Sequence, residues 1–247
     1  MNEILTRRNP VLESLRSQRR QIIRLWLQNG LDKKLTAPIL QAARAANVTI
    51  SHSDKQKLTK LAKDGRHQGV VLECGPYPYA EVDEMLGLAE MREERPFLLL
   101  LDLLHGPQNI GQLLRTAEAV GVHGVILQDR RAPDITPVVV QYSAGAAEHL
   151  LIAQETNLVQ TMRWLQERNV WLVGMELGHE AQKLEQVDLD MSIGIVVGHE
   201  GQGLRRLVRD TCDILLELPM RGRVESLNAA VAGSILLYAA WQARGYS

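Results

Sequence analysis

The sequence reads as an α/β protein in two parts: a small basic α/β unit, then a larger one built on a mainly parallel sheet flanked by helices. Strand-like and helix-like segments alternate along nearly the whole chain, which is the order of an α/β fold. After residue 97 the strand-like runs, among them FLLLLDLL, GVILQ and IGIVVG, are apolar without alternation, as strands covered on both faces must be. Charge is also segregated. Residues 1–72 carry 14 Lys and Arg against 5 Asp and Glu, a net of +9, while the remaining 175 carry 14 against 24, a net of −10. An asymmetry of this kind suggests that the first part meets a polyanion; a solvated basic face is the structural alternative.

The first part is assigned to residues 1–82. RNPVLESLRS, QIIRLWLQNG, TAPILQAARAANVTI, DKQKLTKLAKDG and GVVLECG alternate helical and strand signals, with glycines at the seams. Prolines and a charged run then replace the apolar periodicity in PYPYAEVDEMLGLAEMREERP, so residues 83–96 are expected to form a linker with a short charged helix, ending at Pro96. From 97 to 247 strands alternate with helices expected at Ile110–Val120, Ile135–Gly145, Leu158–Arg168, Leu204–Asp210 and Leu227–Ala243. The last of these is apolar around its circumference, which calls for cover by neighbours or by a second subunit, and a homodimer is expected.

Composition narrows the function classes. Cys74 and Cys212 stand far apart, without a CxxC or a Cys/His ligand cluster, so they read as plain buried thiols and no metal site is expected. No segment approaches the roughly 18 consecutive apolar residues of a membrane span, and the reading is a cytoplasmic protein with no membrane contact.

In open parallel sheets ligands gather beyond the carboxyl ends of the strands, where loops enter helices. Three such loops here are rich in glycine, proline and polar residues. The first, HGPQNIGQLLRTAEAVG, sets Asn109 and Arg115 near a helix start; Asn109 with Gln112 resembles a capping box, and Arg115 is within reach of Glu118 one turn on. The second, GHEGQG, holds Glu200 among glycines that permit close backbone approach. Its GxxGxG order is not the GxGxxG of a dinucleotide site, even with Glu217 roughly 20 residues on. The third, PMRGRVESLN, places Ser226 where a helix cap belongs and Asn228 two residues inside, where a poor helix former needs another reason to stand.

Together, GPQNIGQLLRTAEAVGVHGVIL, IGIVVGHEGQGLRRLVRDTCDILLELPM and VESLNAAVAGSILLYAA resemble the three motifs of the SpoU (TrmH-like) group of the SPOUT RNA methyltransferase superfamily. Gly106, His199 and Leu218 depart from the residues usual in those motifs. The resemblance implies ribose 2′-O methylation with S-adenosylmethionine, a C-terminal segment threaded into a trefoil knot, and a homodimer formed through that domain. It implies Asn109, Arg115, Glu200, Ser226 and Asn228 at the reacting end, and an adenosyl moiety against Gly198, Leu218, Met220 and Leu227, with Gly174 allowing close approach. The basic part resembles the L30e-like substrate-binding domain of enzymes that methylate a guanosine of large-subunit (23S) rRNA, with Arg19, Arg20 and Arg24 among the expected RNA contacts. A tRNA methylase, a resistance methylase acting on rRNA, and a non-catalytic RNA-binding or ribosome-assembly protein of the same fold are the alternatives.

Overall fold

The computed structural model describes residues 2–129, 134–176, 181–223 and 226–246. In chain order the elements are β1 (Glu3–Thr6), α1 (Arg8–Ser17), β2 (Ile22–Gln28), α2 (Lys33–Ala45), β3 (Ile50–Ser53), α3 (Lys55–Ala62), β4 (Val70–Cys74), α4 (Val82–Met91), β5 (Phe97–Leu101) and α5 (Pro107–Ala119). Then come β6 (Gly124–Gln128), α6 (Pro137–Tyr142), β7 (Ile152–Glu155), α7 (Leu158–Gln166), β8 (Trp171–Met175), β9 (Gln182–Lys183), β10 (Ile193–Val197), α8 (Arg206–Arg209), β11 (Ile214–Glu217) and α9 (Ala229–Ala243). Two compact units result: Met1–Pro78 with Ile135–His149, and Tyr79–Asp134 with Leu150–Ser247.

The first unit is a four-stranded sheet in the order β1-β4-β2-β3. The two pairings of β4 are antiparallel and β2 runs parallel to β3. Residues 135–149, expected within the larger part, belong here. α6 is short, a 3₁₀ turn follows at Ala146–His149, and a buried ion pair ties that turn down. Arg20 Nε donates to both carboxylate oxygens of Glu148, at 2.9 and 3.0 Å, with both side chains fully buried. Burial pulls the Arg20 pKa down, but the Glu148 carboxylate, helped by Glu3, more than reverses this and holds the guanidinium above its ordinary value. Tyr77 adds a hydroxyl donated to the Ala147 carbonyl at 2.8 Å. Gly145 has φ +96°, and a side chain there would meet Glu13 Cβ at 2.8 Å.

The second unit is a seven-stranded sheet in the order β7-β6-β5-β10-β8-β11-β9. Each of its pairings is parallel. The central strands β5 and β10 are buried at every position, as their unalternating apolar runs require. The segment expected as a linker contributes to this core: Val82, Met85 and Ala89 of α4 are buried, and Val82 and Met85 pack with Leu98, Leu100 and Ile126. A Cβ on Gly124 would come within 2.1 Å of the Met85 sulfur, so the glycine at the start of β6 is what lets α4 dock. The short charged helix expected here is present, but its place in the core was masked, because its outward face is long and acidic while its inward face is only three residues.

α5 and α9 pack side by side with their N-termini level. Gly233 of α9 lies so close to Leu113 that a Cβ would be 2.8 Å from Cδ2, and the Thr116 and Ser234 hydroxyls share a hydrogen bond of 2.9 Å. Arg244, just past α9, donates to the carbonyls of Arg95, Pro96 and Met191, fixing the far end of the helix to the entrance of β5. Among the described residues no helix is long and apolar enough to cross a membrane. Cys74 and Cys212 are unpaired, and burial pushes each thiol up to about 12.

Candidate active site

The N-termini of α5 and α9 and the loop after β10 converge on one side chain. Asn228 is the N-cap of α9: its Oδ1 accepts from Ala230 N at 2.9 Å and Val231 N at 3.2 Å. The cap expected at Ser226 therefore sits two residues later. With the carbonyl oxygen committed to the helix, the amide is oriented, and Nδ2 carries two protons away from it. They go to Asn109 Oδ1 at 3.2 Å and Glu200 Oε1 at 3.3 Å. One residue thus joins all three loops, and asparagine is the cap type that can do so: aspartate has no donor, and serine has only one.

Asn109 is not the cap of its own helix. Gly106, at φ +87°, is the N-cap of α5, Pro107 opens the first turn, and Asn109 is its third residue. That removes the expected capping box with Gln112 and frees the Asn109 amide, which donates to His105 O at 3.5 Å. Arg115 lies on the exposed side of α5. Among the described residues it makes no ion pair, so the surface pair with Glu118 is not formed, and it does not join the Asn228 cluster.

The GHEGQG loop closes on itself. His199 and Gly203 exchange two backbone hydrogen bonds of 3.0 Å, so a Cβ on Gly198 would lie 2.4 Å from the Gly203 carbonyl oxygen. Gly203 takes φ +65°, while Gly201 has only His199 Nδ1, at 4.0 Å, near its missing side chain. His199 accepts the Gly201 N–H at 3.1 Å and meets His105 edge to face, with centroids 5.3 Å apart.

Beside this loop is a cavity of about 360 Å³. Gly198, Leu218, Met220 and Leu227 line it, as does Ser226, which together with Glu200 borders its polar rim. Gly174 does not. A Cβ there would meet Cys212 Sγ and Leu204 at 2.7 Å and Leu215 at 3.2 Å, so this glycine serves the packing of β8 against β11 and the segments either side of α8.

Residues 96–238 match the model of the SpoU rRNA methylase family. The chain belongs to that family. This SpoU methylase also matches, over residues 8–80, the model for RNA 2′-O ribose methyltransferase substrate binding. It is 39% identical over 237 residues to YacO of Bacillus subtilis (strain 168), described as a TrmH family tRNA/rRNA methyltransferase, covering 96% of this chain and 94% of that one. A TrmH family tRNA/rRNA methyltransferase of Staphylococcus haemolyticus (strain JCSC1435) is 39% identical over 223 residues, 90% of this chain and 89% of the relative. The fold is that of AviRb, a SpoU methyltransferase from Streptomyces viridochromogenes solved in complex with AdoMet, with a TM-score of 0.81 at 23% identity over 100% of this chain and 92% of that one. The chain is accordingly an RNA methyltransferase of α/β fold.

Two groups escaped the sequence reading of this SpoU methylase. Asp102, fully buried at the end of β5, accepts Arg205 N–H at 2.8 Å and Arg205 Nε at 2.7 Å, anchoring the exit of the glycine loop. The signal was an acid ending the apolar run FLLLLD. Glu176, just past β8, lines the cavity; its N–H donates to the Leu216 carbonyl at 3.1 Å, while its carboxylate has no hydrogen-bond partner among the described residues, and a Cβ on Gly203 would be 3.4 Å from each carboxylate oxygen. Nothing in the local sequence marks it.

Proposed function

We propose that this protein transfers a methyl group from S-adenosylmethionine to a ribose 2′-hydroxyl of RNA, at a guanosine of large-subunit rRNA, in the cytoplasm. The observation that carries the reading is the Asn228 bridge, which gathers Asn109 and Glu200 from distant loops, with Glu200 and the neighbours Leu227 and Ala229 of the bridging residue lining one cavity. The cavity suits the cofactor. Its volume is within the range of about 300–1,000 Å³ typical of small-molecule sites, its apolar side is formed by Leu218, Met220 and Leu227, and the open approach at Gly201 exposes loop backbone for hydrogen bonding. When bound, S-adenosylmethionine supplies an electrophilic methyl group.

The protein's part is to place the 2′-oxygen and to lower the cost of removing its proton. Arg115 holds the target nucleotide through its phosphate or its 2′-oxygen. A guanidinium stays protonated, is a donor only, and cannot itself take the proton. Glu200 uses Oε1 to accept from Asn228, so its other oxygen is the available acceptor, unless a substrate phosphate takes that role. Ser226 and Asn109 contribute the hydrogen bonds that orient ribose and cofactor. The threaded C-terminus implied by the motifs belongs to this reading. So does a homodimer: α9 exposes Val231, Ile235 and Tyr238 at helical spacing along one stripe.

A strain lacking the gene is expected to lose one ribose methylation in 23S rRNA, read by mass spectrometry of rRNA and tRNA; loss from tRNA instead would reassign the substrate. Arg115→Ala is expected to keep S-adenosylmethionine binding by calorimetry and to lose methyl transfer by at least about a hundredfold, the scale of a positioned donor. Near-normal turnover would remove Arg115 from the reaction. Cofactor binding by the wild-type chain without transfer to any RNA would favour the non-catalytic reading.

A further inference from the structure

Several cations of the first unit are already engaged. Arg20 is buried against Glu148, and Arg19 donates to the Tyr77 hydroxyl and the Pro78 carbonyl, so neither offers RNA the contact expected of it. Arg16 pairs with Glu13 and Arg66 with Asp64. Arg24 and Lys57 are different. Both are exposed, and both lie on the ring of Trp26: the Arg24 guanidinium carbon is 5.3 Å and the Lys57 ammonium 4.6 Å from its centroid.

The backbone explains how they meet. Along β2, Leu25 and Leu27 are buried on one face, which turns Arg24 and Trp26 to the other, and α3 brings Lys57 to the same ring. The nearby acids bond to other groups. Glu73, opposite Arg24 in register, accepts from Asn2 at 3.4 Å, and Asp54 caps α3 by accepting the Lys57 N–H at 2.8 Å. Among the described residues neither cation has an ion pair. Two like charges held on one ring repel each other, and an anion between or beside them relieves that repulsion. The half-buried ring also fixes two otherwise flexible side chains, which lowers the ordering cost of binding.

We propose that Arg24, Trp26 and Lys57 form a phosphate clamp for the RNA backbone, with the two cations as ligands and the indole as the plate that holds them. The inference rests on the reading of this chain as an RNA methyltransferase, and RNA fits better than an acidic protein because residues 1–72 carry 14 cationic groups against 5 acidic ones around it.

The test uses the full-length protein, a transcribed 23S rRNA and bulk tRNA as separate probes, and binding measured over a series of salt concentrations. The double variant Arg24→Ala with Lys57→Ala removes only exposed side chains. It is expected to bind the preferred RNA at least about tenfold more weakly at low salt, with the slope of log K against log salt reduced by about 1.4 for two single-strand contacts, and to keep wild-type affinity for S-adenosylhomocysteine. Trp26→Leu is expected to weaken RNA binding while leaving the slope unchanged, since the charges remain. Wild-type affinity and slope in the double variant would overturn the clamp alone. Failure of the wild-type protein to bind either RNA would overturn the clamp and the RNA reading together.

Discussion

At the scale of single residues, Asn228 does two jobs with two ends of one amide. Substitution can separate them. Asn228→Asp keeps an oxygen for the Ala230 and Val231 N–H groups, and a carboxylate at a helix N-terminus is favoured by the dipole, so stability is expected to stay within about 1 kcal/mol of wild type. The donor to Asn109 and Glu200 is lost, and a second carboxylate then faces Glu200. Methyl transfer is expected to fall by roughly a hundredfold or more, with the thermal midpoint nearly unchanged. Parallel loss of both would make Asn228 only a cap. The polar positions at this rim were legible in the sequence because each sits in a loop ahead of a helix, where an amide or acid needs a reason. Their structural jobs were misplaced by two or three residues, since Pro107 and Gly106 start α5 early and Ser226 leaves the cap to Asn228. Glu176 was not legible, and Asp102 showed only as an acid ending an apolar run, because their significance is a cavity or a partner far away in sequence.

At the scale of elements, periodicity served best where it was long. β5, β6 and β10 coincide with apolar runs read from the sequence, and α5, α7 and α9 with helical ones, to within a few residues at their ends. It said less about extent and burial where an element is short or shows the core only a narrow face. α4 is the instructive case: seven of its ten residues are not buried, yet Met85 is fully buried and fills the space left by Gly124. Met85→Ala is expected to destabilise the protein by about 2–5 kcal/mol, the range for a large core residue truncated with a cavity left behind. Met91→Ala on the same helix, where the side chain is 80% exposed, is expected to change stability by less than about 0.5 kcal/mol. Equal denaturant midpoints for the two variants would return residues 83–96 to the status of a linker.

At the scale of the whole molecule, what composition could not show is that the chain enters the first unit twice. Ile135–His149 is held there by Glu148, a buried carboxylate whose partner Arg20 lies 128 residues earlier. No local pattern reports a pairing of that span. A second consequence of burial runs through both units and depends on pH. His123, in the second unit, is 1% exposed; its Nδ1 accepts the Phe97 N–H at 3.0 Å, so the proton of the neutral ring sits on Nε2 and is donated to Glu94 at 2.9 Å. Burial lowers its pKa, against the opposing pull of Glu94. His67, in the first unit, is also lowered, chiefly by burial and then by Lys55; its Nδ1 accepts the Gly69 N–H. In the unfolded chain both imidazoles take protons near their ordinary value of about 6.5, while in the folded chain they resist until lower pH. Below about 6.5 the unfolded state therefore binds more protons, and stability is lost as pH falls from there through the lowered folded values, remaining fully present above. Thermal unfolding between pH 8 and pH 5 is expected to show a midpoint that is flat above about 6.5 and falls below it. His123→Gln, which keeps a neutral side chain with an acceptor and a donor, is expected to lower the midpoint at pH 8 but to flatten the decline on acidification. A decline of unchanged steepness in that variant would mean that the acid sensitivity of the protein does not come from His123.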